Sequence, residues 1–388
     1  MITREERAEI LKKAGACPSD IEELLAYNTN YFRHQQPVLE YLRFPLEDEL
    51  FVTDWKHYIH EAEQQGAFNM LQKKLVELQF PVQPGISMTS DYTARVRKGL
   101  PPPLDTPSPR LKSPEKLNVL LCQSLAGKIP FLITEDRADF ETLIQSLAMK
   151  NEPVSIPLSL NAFMVSGYNN WDRFHKAEHQ AQQNWNGQGP VFNAIAAEKS
   201  LYQDSLVICT FGSYSNVPSR EMGFTDDEWQ VASFVIRQEH ECAHYILKRL
   251  FGITRNNILD ELIADFMGIC AYAGKYKADW FLRFMGVDQF PVYRENGRLS
   301  NYRGDLSDSA FAILQGLIVS ASHNLQSFYD QVQPLFSSWY DLHIRFFICL
   351  TYLTLEEMSA MDGVKRMILA MAELENSLPE KAMKTKVL

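Results

Sequence analysis

Two apolar helical runs that carry ionisable groups constrain this chain more than any other feature of its sequence. The first extends from Thr225 to Leu250. Thr225 and Glu228 form an S/T-x-x-E capping box, in which hydroxyl and carboxylate satisfy the free N–H groups of a helix start. Gly252 follows the last apolar residues and suits a helix stop. Between these ends Trp229, Ala232, Val235, Ile236, Ala243, Ile246, Leu247 and Leu250 predict a largely buried helix. It also carries His240-Glu241-Cys242-Ala243-His244, and buried ionisable side chains need partners. The second run, from about Ile258 to Tyr272, surrounds Glu261 and Asp265 with Leu259, Leu262, Ile263, Phe266, Met267 and Ile269. Its two acids share one face, where they would repel and desolvate badly without a cation.

The residue types say which cation. His240 and His244 lie one turn apart on one helix face, so both imidazoles can point at a single ion. Two histidines and a carboxylate suit zinc, and three protein ligands leave a fourth position open for water. Glu241 sits beside that position, where it can take a proton from water that the metal has activated. Glu261 is the candidate third ligand. Asp265 can accept the free ring N–H of a ligand histidine and fix its tautomer. Buried histidines can also be satisfied by hydrogen bonds in an ordinary core, and the paired acids of the second run weigh against that reading.

His240-Glu241-x-x-His244 with Glu261-x-x-x-Asp265 resembles the gluzincin group of zinc metallopeptidases, over about residues 205 to 275. The resemblance implies Zn2+ bound by His240, His244 and Glu261, Glu241 as general base, and Asp265 supporting the ligands from behind. It implies a zincin-like catalytic domain with a small sheet beside the active-site helix. Ser205 to Phe211 reads as a strand, and in gluzincins the edge of such a strand pairs with an extended peptide substrate. The expected activity is hydrolysis of peptide bonds in a peptide or protein. Two other readings stand beside it: a zinc hydrolase of a small non-peptide substrate, and a non-catalytic metal-binding regulatory or interaction protein. The intact Glu241 argues against the last, which needs no base and would prefer a closed four-ligand site.

An oxyanion formed during amide hydrolysis wants a donor besides the metal. His343 is the first candidate, because His343-x-Arg345 opens an apolar helix where both would otherwise be costly. Tyr302, in the Asn301-Tyr302-Arg303 segment, is the second. His323 reads as a satisfied core histidine and Arg237 as a structural ion-pair partner. A rival zinc signature, His175-Lys176-Ala177-Glu178-His179, is H-x-x-E-H. It is polar all round and no acid-bearing apolar helix follows it, so it reads as a solvated helix or loop.

The net charge of −10 excludes nucleic acid and anionic membrane as general partners. Six cysteines without C-x-x-C spacing suggest neither a disulfide framework nor a structural zinc site. The first residues are charged and lack an apolar stretch, and no run is long enough to span a membrane, so a cytoplasmic location is expected. The fold class is α+β, mainly α. Residues 1–97 read as an N-terminal helical region, with helical periodicity over Glu5 to Lys13, Ser19 to Leu25 and Trp55 to Leu78. Six prolines mark residues 98–116 as a linker. Residues 117–379 are assigned to the catalytic domain, with a strand at Ile129 to Thr134, a helix at Glu135 to Ala148 and extended pieces near Val154 to Val165. Residues 380–388 are expected to fray. The oligomeric state is left open by the sequence.

Overall fold

The computed structural model describes residues 2–34, 43–100, 109–184, 191–253, 256–295 and 297–377. The chain forms two compact units. The first joins residues 1–46 to residues 213–388, and the second consists of residues 47–212. The described residues are mainly helical with one small mixed sheet, in agreement with the expected class. No described helix is long and apolar enough to cross a membrane.

The second unit holds the four-stranded sheet. β1 (Asn118–Ser124) and β2 (Gly127–Thr134) form an antiparallel hairpin with Leu120 opposite Phe131. β2 runs parallel to β4 (Gln203–Thr210), and β3 (Ala162–Asn169) pairs antiparallel with β4, bulging between Ser166 and Tyr168. β4 is interior, so its Leu206, Val207, Ile208 and Cys209 are all buried, as a strand covered on both faces requires. The helix Arg137–Leu147 follows β2 and is capped by Asp136, whose carboxylate accepts from the Ala138 amide at 2.8 Å. The helical run expected over Trp55 to Leu78 is broken: Phe51–Gln65 ends at Gly66 (φ 88°), a conformation that glycine tolerates, and Ala67–Lys74 follows.

Residues 47–97 belong with the sheet because of buried polar ties. The Trp55 indole donates to Asp204 of β4 at 2.9 Å, and Arg173 pairs with both Asp204 and Asp54. The Tyr168 hydroxyl of β3 donates to Glu77. The Trp171 indole donates to the Val96 carbonyl at 2.8 Å. The proline-rich stretch therefore falls inside the second unit rather than between units, and residues 101–108 and 378–388 lie outside the described residues.

The first unit is helical. Residues 1–46 belong to it because Leu11, Leu24 and Leu25, on the helices Arg4–Lys13 and Pro18–Tyr27, are buried and Arg7 pairs with buried Glu356 at 3.0 Å. The two apolar runs become a motif helix, Asp226–Phe251, and an acid helix, Ile258–Ala273. The capping box at Thr225 and Glu228 and the left-handed Gly252 are both present. After them come the helices Ala278–Met285, Asp308–Val332, Trp339–Thr351, Leu355–Ser359 and Gly363–Ser377. The sheet, expected in one domain with the motif helix, thus belongs to the other unit.

Candidate metal centre

The motif and acid helices touch at the backbone. A Cβ on Gly268 would lie 2.5 Å from the Ile236 carbonyl oxygen, so only glycine permits this approach. The contact brings the acids of one helix up to the histidines of the other. His240 Nε2 and His244 Nε2 stand 3.0 Å apart. The Glu261 carboxylate oxygens lie 3.6 Å from His240 Nε2 and 3.5 Å from His244 Nε2. Among the described residues this is the one group of His, Cys, Asp and Glu side chains arranged to hold a metal ion, and all three members are buried.

The donor set fits zinc. Metal–ligand bonds of about 2.0–2.1 Å at tetrahedral angles place ligand atoms roughly 3.3 Å from one another, and the three separations bracket that length. Glu261 Oε2 is buried without a hydrogen-bond partner, an arrangement that costs free energy unless something binds there. Burial alone would raise the Glu261 pKa, but His244, His240 and Arg298 outweigh it and hold the carboxylate well below the usual range. Burial opposes charge on His244, whereas Glu261, Asp260 and Glu241 favour it and raise its pKa to about 9. Binding a metal there would displace a proton.

Each of the two histidines has an acid behind it. His240 Nδ1–H donates to Asp265 Oδ1 at 2.8 Å, which leaves Nε2 as the lone-pair donor. Asp265 also accepts from the Tyr214 hydroxyl at 2.5 Å and from the Arg298 guanidinium. Arg298 donates further to the Tyr214 oxygen at 3.0 Å and to Ser215 Oγ at 3.1 Å. Asp260 Oδ2 lies 3.7 Å from His244 Nδ1, and burial and Glu261 together push the Asp260 carboxyl up.

Tyr214 reaches the site from a tight turn. Ser215 and Asn216 adopt left-handed backbone (φ 50° and 57°), a cost often met at functional sites. The turn is tied to the motif helix where the Tyr214 amide donates to Ser233 Oγ at 2.9 Å and the Trp229 indole donates to the Val217 carbonyl at 2.7 Å.

Glu241, next to His240, is buried, and burial raises its carboxyl pKa against the pull of His240 and His244. Tyr302 belongs to this cluster: its hydroxyl faces the Glu261 carboxylate as a donor, and burial, Glu261 and the hydrogen bond between them raise its pKa well above the ordinary phenol value. His343 is held elsewhere, its ring 5.9 Å from that of Phe266 and its Nε2 3.4 Å from the Tyr329 hydroxyl. Arg345 pairs with Glu375 at 3.1 Å. His323 is exposed, so it is not the core histidine expected. Arg237 is buried, 5.9 Å over the Tyr214 ring, and acts electrostatically on Glu241. In the second unit His175 and His179 are exposed, and His175 Nε2 bonds the Gly99 carbonyl at 2.8 Å.

Sequence reasoning missed Tyr214, Asp260 and Arg298. Asp260 carried the same signal as Glu261, an acid in an apolar helix. Tyr214 and Arg298 lie in irregular segments that have no periodicity to betray them. No curated protein and no solved structure matches the chain. A family model described as "Family of unknown function (DUF7005)" matches residues 9–362, and the chain belongs to that family.

Proposed function

We propose that this protein is a zinc-dependent hydrolase of the gluzincin kind that cleaves peptide bonds. The observation that carries the reading is the meeting of His240, His244 and Glu261 at mutual distances of 3.0–3.6 Å, with Glu241 beside them and Asp265 bonded to His240. When bound, zinc would supply Lewis acidity toward a carbonyl and toward water. Glu241 takes the proton of the attacking water and returns it to the leaving amine. Its buried, raised carboxyl suits both tasks, because the proton gained is not lost at once to solvent. Asp265, steadied by Arg298 and Tyr214, keeps the His240 ring in the tautomer that presents Nε2. Tyr302, whose phenol O–H meets the Glu261 carboxylate, replaces His343 as the candidate donor to a developing oxyanion.

The test is elemental analysis of the purified protein and of Glu241→Gln, each then incubated with a mixed peptide library. The expected result is about one zinc per chain in both and cleavage by the wild type alone. A removed general base typically costs 10²- to 10⁴-fold in rate. Zinc in both without cleavage by either would favour a small-molecule substrate or a regulatory metal site. No zinc in a folded protein, and none taken up on addition, would overturn the reading.

A further inference from the structure

The first helices of the chain reach the metal centre through one side chain. The Tyr27 hydroxyl donates to the Tyr302 carbonyl at 2.7 Å. The Tyr27 carbonyl accepts from Asn257 Nδ2, and Asn257 is the residue immediately before the acid helix. Asn257 has φ 56° and ψ −113°, backbone that a non-glycine residue holds only when its surroundings enforce it. The same stretch of chain grips the neighbouring position. The Tyr31 amide donates to Asn256 Oδ1 at 3.2 Å, and Asn256 Nδ2 donates to Asn30 Oδ1 at 3.1 Å. The Asn256 amide in turn donates to Asp260 Oδ1 at 2.7 Å. Residues 27–31 therefore fasten both the start of the acid helix and the turn that carries Tyr302.

We infer that Tyr27 is a positioning residue for the metal centre: through the Tyr302 carbonyl it holds the Tyr302 hydroxyl against Glu261, and so sets the pose of the third metal ligand. The inference rests on the zinc reading of the site. A ligand carboxylate free to rotate loses affinity unless an outer hydrogen bond fixes it. Tyr302 closes the short 3-10 turn Arg298–Tyr302, with Asn301 exposed beside it. The 2.7 Å bond from Tyr27 anchors its backbone. The proximity is electrostatic as well as geometric, since burial and the charges of Asp260 and Glu261 raise the Tyr27 pKa.

The test uses the full chain and zinc alone, with affinity read by competition against a chromophoric chelator. Tyr27→Phe keeps the ring and removes the anchoring donor; Tyr302→Phe removes the donor to Glu261. Each is expected to weaken zinc binding about 3- to 10-fold, the loss of one ordinary hydrogen bond. The double variant is expected to match Tyr302→Phe within about twofold, because Tyr27 acts only through Tyr302. The visible spectrum of the cobalt-loaded protein is expected to shift alike in both single variants, a signature that general loosening of the fold would not reproduce. Wild-type affinity in Tyr27→Phe, or losses that multiply in the double variant, would overturn the inference and leave the zinc reading intact. A wild type that binds no zinc would overturn both.

Discussion

Replacing Asp265 with Asn separates the two tasks that the structure gives this carboxylate. Asp265 accepts from Tyr214 at 2.5 Å, from His240 Nδ1 at 2.8 Å and from Arg298, and all four groups are buried. Removing the charge leaves the Arg298 guanidinium facing a neutral amide in the interior. Breaking a buried pair on one side costs about 3–5 kcal/mol. Arg298 keeps the Tyr214 oxygen, Ser215 and, at 3.8 Å, Glu261, so the lower end, about 3 kcal/mol, is expected. Independently, His240 loses the acceptor that fixes its tautomer. Removal of such an outer-shell partner weakens metal binding by roughly 10- to 100-fold, or about 1.4–2.8 kcal/mol. Urea unfolding of the metal-free protein reads the first effect, and chelator competition reads the second. A variant that is less stable but binds zinc within a factor of two of wild type would make Asp265 an ion-pair partner of Arg298 alone and refute the tautomer argument.

Gly268→Ala places a Cβ 2.5 Å from the Ile236 carbonyl, which is backbone and cannot yield cheaply. It should destabilise the fold by about 1–3 kcal/mol and loosen zinc binding as the helices part, measured by thermal unfolding and competition; unchanged values in both would disprove the close approach. Zinc at about 100 times its dissociation constant should stabilise the folded chain by roughly 2.7 kcal/mol, and removal by chelator should reverse this. Glu77 is buried against Tyr168 in the second unit, and burial raises its pKa to about 7. The unfolded chain therefore ionises first, so stability held below about pH 4.5 is lost as pH rises through about 7, a total of about 3 kcal/mol. Glu77→Gln should flatten that dependence in urea titrations run from pH 4 to 8; an unaltered slope would refute it.

The motif helix was legible to its caps, because Thr225, Glu228 and Gly252 act locally and need no tertiary help. The cluster of His240, His244, Glu261, Glu241 and Asp265 was legible because charge inside an apolar helix demands a partner wherever the helix ends up. β2 and β4 were visible as short apolar runs, and β1, with exposed Leu120 on an edge, gave a weaker signal. What stayed hidden is non-local. Nothing in Leu299-Ser300-Asn301 announces that Arg298 and Tyr302, on either side, both face the acid helix. Nothing in the first 30 residues announces that Tyr27 bonds a residue 275 positions later. The grouping of residues 1–46 with the C-terminal half was hidden for the same reason, since the best candidate boundary in the sequence, the proline-rich stretch at 98–116, falls within a unit.

That grouping makes the order of synthesis matter. The partners of Arg7 and Tyr27, Glu356 and Tyr302, emerge from the ribosome some 300 residues after them, so the N-terminal helices must wait for them while the whole of residues 47–212 is made. Contacts of such sequence separation form late. A fragment started at residue 117 would hold every candidate metal ligand yet lack Tyr27 and much of the second unit. Truncation at the proline-rich stretch is thus the wrong way to isolate this site, because a shortened protein that fails to bind zinc would not distinguish a missing N-terminus from a missing metal centre.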